Sequence, residues 1–241
     1  ILWFVPTWEK VTSFDGKTWT KHDSGPSTGR YMVVDQNNVK WIGTFQSGVA
    51  RYDGTSWTYF TPGNSGVRAN MCQVQWVDLD NTMWFAYGYR YGILHFDGTV
   101  WKNYTTKDGL ISDYTRGVTV GPDGVKWFGT YAGVTRFDGK NWASYTTANG
   151  LVDNRVECVA VDYDNVLWVG TEGGVSSFDG IEWKAWSTSN SPLPNNHVYK
   201  IAVDTNNVKW FATGGGGVVS LATYSGPYVR VASPNGGELW E

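Results

Sequence analysis

The stretch Val156–Trp186, VECVAVDYDNVLWVGTEGGVSSFDGIEWKAW, decides the fold. It opens with an apolar, β-prone run at Val156–Val161 and turns at Asp162–Asn165 into a second run, Val166–Thr171. Gly173–Gly174 leads to a third run, Val175–Phe178, and Asp179–Gly180 turns into a fourth, Glu182–Trp186. Four short strands joined by tight turns predict one antiparallel meander. Their continuous apolar character suits strands covered on both faces.

The same unit recurs on either side of this stretch. A Trp in the second strand stands at Trp3, Trp41, Trp84, Trp127, Trp168 and Trp210, with spacings of 38, 43, 43, 41 and 42 residues. An aromatic-Asp-Gly turn followed by another Trp recurs as Asp15/Trp19, Asp53/Trp57, Asp97/Trp101, Asp138/Trp142 and Asp179/Trp183. Repeats of about 40 residues with four strands each are the signature of propeller blades. The sequence therefore predicts an all-β chain, a β-propeller of six four-stranded antiparallel blades, or seven if upstream strands are missing. Eleven of the fifteen Trp occupy these two posts, so they read as packing residues first, with the six second-strand Trp buried at equivalent places.

The chain begins at Ile1 inside a second strand, which reads as a fragment or a processed product whose first blade lacks its inner strand. The last repeat lacks the Asp-Gly turn, and its fourth strand is either Tyr228–Val231 or absent, the chain already leaving the domain. The expected division is a propeller over residues 1–226 and a separate tail over 227–241.

Net charge is −3 with no basic run, which excludes the electrostatic footprint of a nucleic-acid binder. No apolar run approaches the roughly 18 residues of a spanning helix. Cys72 and Cys158 fall on first strands two blades apart, where buried free thiols are expected rather than a disulfide. The turns DYDN at Asp162, DLDN at Asp78 and DTNN at Asp204 gather oxygen ligands. They lack the Gly and distal Glu that complete a calcium loop, and turns favour the same residues. No metal and no cofactor are expected. Gly214–Gly217 reads as a flexible loop, since no phosphate-binding Lys or helix follows. His22 occupies a column filled elsewhere by Phe60, Tyr104, Tyr145 and Trp186, and reads as a packing residue.

The repeats VECVAVDYDNVLWVGTEGGVSSFDG and RGVTVGPDGVKWFGTYAGVTRFDG resemble those of the two-component regulator propeller family, and the likeness spans nearly all of residues 1–222. Departures are Phe85–Tyr87 after Trp84, Pro6 in the first repeat, and Gly121 where Asp is usual. The resemblance implies an extracytoplasmic sensor or binding module, whether periplasmic, cell-surface or secreted. The tail SPNGGELW is similar to the opening of immunoglobulin-like modules of secreted bacterial proteins, which implies further domains of the same polypeptide after Glu241.

Comparing blades within the chain separates what the fold requires from what it leaves free. In the loop leading into each first strand, one column reads Ser27, Asn70, Asp113, Asn154, Asn196. All five can bond their own backbone two residues on, so this column is turn chemistry. The next column reads Thr28, Met71, Tyr114, Arg155, His197 and is not set by the fold. The loop between second and third strands opens on the same face and varies too, through Trp8, Phe45, Tyr89 and Arg90, Tyr131, and Glu172. In a propeller both loops lie at the mouth of the central channel.

Aromatic, Arg, His and Glu side chains around a concave mouth suit a sugar or peptide. The expected ligand-binding residues are Arg90, Tyr114, Tyr131, Arg155, Glu172 and His197, with no catalytic residue. The function read from them is a non-catalytic binding or sensing module for a glycan or protein ligand. One alternative is a structural or adhesive spacer in an extracellular assembly. Another is a glycoside hydrolase or lyase, which needs two mouth carboxylates to converge; Glu9, Asp113, Asp153, Glu157 and Glu172 are the candidates.

Overall fold

The computed structural model describes residues 1–72, 74–224 and 226–230. Blade 1 has three strands, Leu2–Phe4, Thr12–Phe14 and Trp19–Lys21. Five four-stranded meanders follow. Blade 2 comprises Gly29–Val34, Lys40–Thr44, Val49–Tyr52 and Trp57–Phe60; blade 3 comprises Val74–Val77, Met83–Ala86, Ile93–Phe96 and Trp101–Tyr104. Blade 4 comprises Thr115–Val120, Lys126–Thr130, Gly133–Phe137 and Trp142–Tyr145. Blade 5 comprises Val156–Val161, Leu167–Thr171, Val175–Phe178 and Trp183–Trp186, the strands read from the opening stretch. Blade 6 comprises Val198–Val203, Lys209–Thr213, Gly217–Tyr224 and Gly226–Arg230.

Among the described residues the only helical element is one 3-10 turn, Thr147–Asn149, and no helix is long and apolar enough to cross a membrane. The fourth strand of blade 6, Gly226–Arg230, pairs Arg230 with Ser220. The immunoglobulin-like reading of the tail lies outside the described residues from position 231 onward.

The chain forms two compact units, one of Ile1–Asp108 with Asp113–Thr115, the other holding the remainder. In the first, Trp41, Phe85, Tyr87 and Leu94 belong to one core cluster; in the second, Trp168, Val198, Ile201 and Phe211 belong to another. Trp41, Trp84, Trp127 and Trp168 are buried. Trp3 and Trp210 are only half-buried, which corrects the expectation for all six. His22 stacks on Trp3 at 4.6 Å and bonds Ser13, a packing role.

The first-to-second-strand turns explain the recurrent Asp and Asn. The indole Nε1 of Trp41, Trp84, Trp168 and Trp210 donates to Asp35, Asp78, Asp162 and Asp204, each at 2.9 Å. The fourth turn residue is left-handed in Asn38, Asn81, Asn165 and Asn207, with φ of 61–65°, a conformation Asn tolerates better than most residues. The same Asn side chains tie neighbouring turns together: Asn165 donates to Asp123 at 2.9 Å and Asn207 to Asp164 at 2.7 Å. These oxygens are therefore occupied by backbone, indole and amide donors. Blade 4 carries Gly121 in place of the indole-binding Asp, and Asp123 there accepts from the Val125 N–H.

Asp162 carries a second load. Its carboxylate accepts from the Nζ of Lys209 at 3.0 Å, with both side chains essentially inaccessible, and Lys209 lies over the Trp168 ring. Cys72 and Cys158 are buried, and burial pushes both thiols up, Cys158 to about 12.

Candidate functional site

In an antiparallel meander the start of the first strand and the second-to-third-strand loop share one end of the blade. This lead-in end is braced by the backbone. Phe45 N donates to Thr28 O, Glu172 N to Arg155 O and Gly214 N to His197 O. Thr44, Thr130, Thr171 and Thr213 each close the second-to-third-strand loop by donating Oγ1 to a glycine carbonyl within 3.0 Å. The turn-chemistry column works differently from the expected local bond. Asp113, Asn154 and Asn196 accept backbone N–H groups seven or eight residues upstream, from Thr106, Thr147 and Thr188. The local bond is accepted by the preceding residue: Arg155 N donates to Asp153 Oδ1 and His197 N to Asn195 Oδ1.

On this frame the first strands of blades 2, 5 and 6 each begin with a register shift, at Gly29/Tyr31, Val156/Cys158 and Val198/Lys200. The residues left out of register are Arg30, Glu157 and Tyr199. A bulge re-aims the side chain it carries. Here it lets charged or aromatic groups occur within otherwise apolar strands at the lead-in end.

The second unit gathers four of the six expected residues, Tyr131, Arg155, Glu172 and His197. Arg155 Nη1 pairs with Glu172 Oε2 at 3.0 Å, and its guanidinium lies 5.2 Å from the Tyr131 ring centre. Arg116 approaches the same ring at 5.5 Å and grips Glu157 Oε2 through Nε, at 3.1 Å, and Nη2. Ligand-capable atoms of Glu157, Glu172 and His197 lie within 4.8 Å of one another. The His197 ring lies tilted against Tyr199, with centroids 3.9 Å apart, and its buried Nε2 has no hydrogen-bond partner among the described residues.

Arg90 and Tyr114 belong to the first unit. Arg90 lines an open pocket of about 370 Å³ with Met71, Tyr87, Tyr89 and Tyr91. Blade 3 departs from the repeat here, putting Tyr87 where four other blades place the loop-closing Thr. Tyr87 is fully buried, donates to Asn103 Oδ1 at 2.9 Å and accepts from Arg68 N at 2.8 Å. It forms a fixed floor beneath the half-exposed Tyr89 and Tyr91. Tyr114 is exposed on the lead-in to blade 4 and does not line that pocket. Elsewhere in the unit Trp8, 70% exposed, lies parallel to Phe45, whose ring also carries Arg30 at 4.3 Å.

Arg116, Glu157 and Tyr199 are the site residues that the variable columns miss. Their signal is a column two residues further on, reading Arg30, Arg116, Glu157 and Tyr199 in blades 2, 4, 5 and 6. Opposite charges in equivalent places of adjacent blades are placed to pair.

The fold defines the chain as a β-propeller. Residues 150–173 match the sequence profile of the two component regulator propeller family, and no curated protein matches the chain. Among solved structures it resembles the extracellular domain of a hybrid two component system from B. thetaiotaomicron, with a TM-score of 0.79 at 18% identity, covering 98% of this chain and 33% of that one. It resembles PorZ, a surface component of the type-IX secretion system of Porphyromonas gingivalis, with a TM-score of 0.68 at 17% identity, covering 90% and 36%. It also resembles virginiamycin B lyase from Staphylococcus aureus, with a TM-score of 0.64 at 14% identity, covering 88% and 83%. The chain thus spans about a third of the length of the first two, and at these identities the likeness is one of fold.

Proposed function

We propose that the chain is a non-catalytic, extracytoplasmic binding or sensing module whose ligand, a glycan or a protein segment, is held at the lead-in ends of its blades. The observation that carries this reading is the recurrence of aromatic rings flanked by guanidinium groups: Phe45 with Arg30, Tyr131 with Arg116 and Arg155. Arg90 sits among tyrosines in the same way. A ring face packs against a sugar ring, while Arg and Glu orient hydroxyls or an acidic group. The contacts are assigned to Arg90, Tyr114, Tyr131, Arg155, Glu172 and His197. The extracellular propeller domains among the similar structures support the location. Screening the chain against glycan and peptide arrays tests the reading. Binding should be lost in Tyr131→Ala/Arg155→Ala, and wild-type chain that binds nothing moves the spacer reading to first place.

A second reading, a hydrolase or lyase, is favoured by the convergence of Glu157 and Glu172. Against it, Glu157 is hydrogen-bonded and Glu172 ion-paired to a guanidinium group, whereas glycoside hydrolysis needs one of the pair to donate a proton. Turnover of an array hit, lost in Glu172→Gln, would establish it.

A further inference from the structure

We propose that Glu157, Glu172 and His197 form a binding site for a divalent transition-metal ion of the zinc or manganese kind. Two carboxylates and one imidazole offer ligand atoms within 4.8 Å of one another, a spread that one ion at bond lengths of about 2.0–2.2 Å can span with small side-chain adjustments. The mixed oxygen and nitrogen set favours these metals over calcium or magnesium, which take oxygen ligands.

Two further features point to an occupant. His197 keeps a buried ring nitrogen without a partner among the described residues, a costly arrangement for a polar atom. Glu157 and Glu172 each engage an arginine through Oε2 alone, leaving Oε1 without a hydrogen bond among the described residues. Metal-ligating carboxylates are commonly oriented by hydrogen bonds of this sort. Arg116 and Arg155 would act as such orienting groups while offsetting the charge of the carboxylates, so binding should be of moderate strength. The set closes only in the folded chain, because Glu157, Glu172 and His197 lie on a bulge, a loop and a lead-in of two blades. Sequence spacing therefore predicted no metal.

Calorimetric titration of the chain with Zn²⁺ alone tests the site, independently of any organic ligand. One equivalent should bind, with at least a tenfold loss of affinity in both His197→Ala and Glu172→Gln. His22→Ala, at a packing histidine, should leave binding unchanged. Melting curves of the two site variants that match the wild type establish that folding is not the cause. Absence of Zn²⁺ binding, or binding retained in both site variants, overturns the proposal. So does Ca²⁺ binding that is as strong as Zn²⁺ binding and indifferent to His197→Ala.

Discussion

Asp162 and Glu157 stand at opposite ends of one strand and are similarly buried, at 2% and 9% exposure. Asp162 accepts from the Trp168 indole, the Lys209 ammonium and the backbone N–H groups of Asp164 and Val166. Glu157 places one oxygen on Arg116 and leaves the other without a hydrogen bond among the described residues. The turn end uses its polar groups to hold the blade and recurs from blade to blade. The lead-in end retains polar groups beyond those the fold consumes, and it differs in every blade. Residues that the repeat repeats are structural; the proposed binding is assigned to those that it does not repeat.

The largest effect that could break this comparison is at the turn end. Asp162→Ala leaves Lys209 buried without its counter-charge and frees the Trp168 indole, so it should cost about 3–5 kcal/mol. Trp168→Ala should cost a similar 3–5 kcal/mol through the cavity it opens. Chemical denaturation measures both. A loss under 1 kcal/mol for Asp162→Ala would mean that the turn end does not hold the blade.

A smaller effect is expected at Asn207, which is left-handed and joined to Asp164 and to Tyr163 N. Asn207→Ala should cost about 1–2 kcal/mol from the left-handed backbone, plus a share for the lost bonds. Asn207→Gly should recover the backbone part only, and equal losses in the two variants would deny the strain argument.

Much of the turn end was legible in the sequence, because a single residue type solves the same local problem in each blade. Trp168, Asp179 and Asn165 could be read from spacing, since indole, hairpin and left-handed turn are local demands. The lead-in end was legible as a set of variable columns, which named Tyr131, Arg155, Glu172 and His197 but not their pairing. Glu157 was read only as a candidate carboxylate and Arg116 escaped, because their contact spans two blades and depends on a bulge at Val156/Cys158 that no Gly marks.

Acid should act gently on the Asp-Gly turns. Asp15, Asp53, Asp97, Asp138 and Asp179 are all held below the usual carboxylate value by backbone N–H donors two and three residues on, Asp97 at about 2. A carboxylate with a lowered folded value stabilises fully above its unfolded value of 3.8. That stability is lost as pH falls through the folded value. Melting temperature followed from neutral pH downward should therefore decline through 3.8 toward about 2, and less steeply in Asp97→Asn. A decline centred near pH 6 would place the sensitive groups elsewhere.

The smallest expected effect on stability sharpens the comparison most. Arg155 and Glu172 form a solvent-accessible pair, with side chains 55% and 33% exposed. Such pairs are worth about 0–1 kcal/mol. Tyr131 adds a ring beside that pair rather than a post of the repeat. Tyr131→Ala/Arg155→Ala should therefore shift the unfolding free energy by no more than about 1 kcal/mol, against the 3–5 kcal/mol of Asp162→Ala. If the double variant proved as destabilising as Asp162→Ala, the cluster around Tyr131 would be another blade fastener. The distinction between the two ends of the blade would then fail. A stable double variant that has lost its ligand would confine binding to the lead-in end, where the fold itself asks least of its side chains.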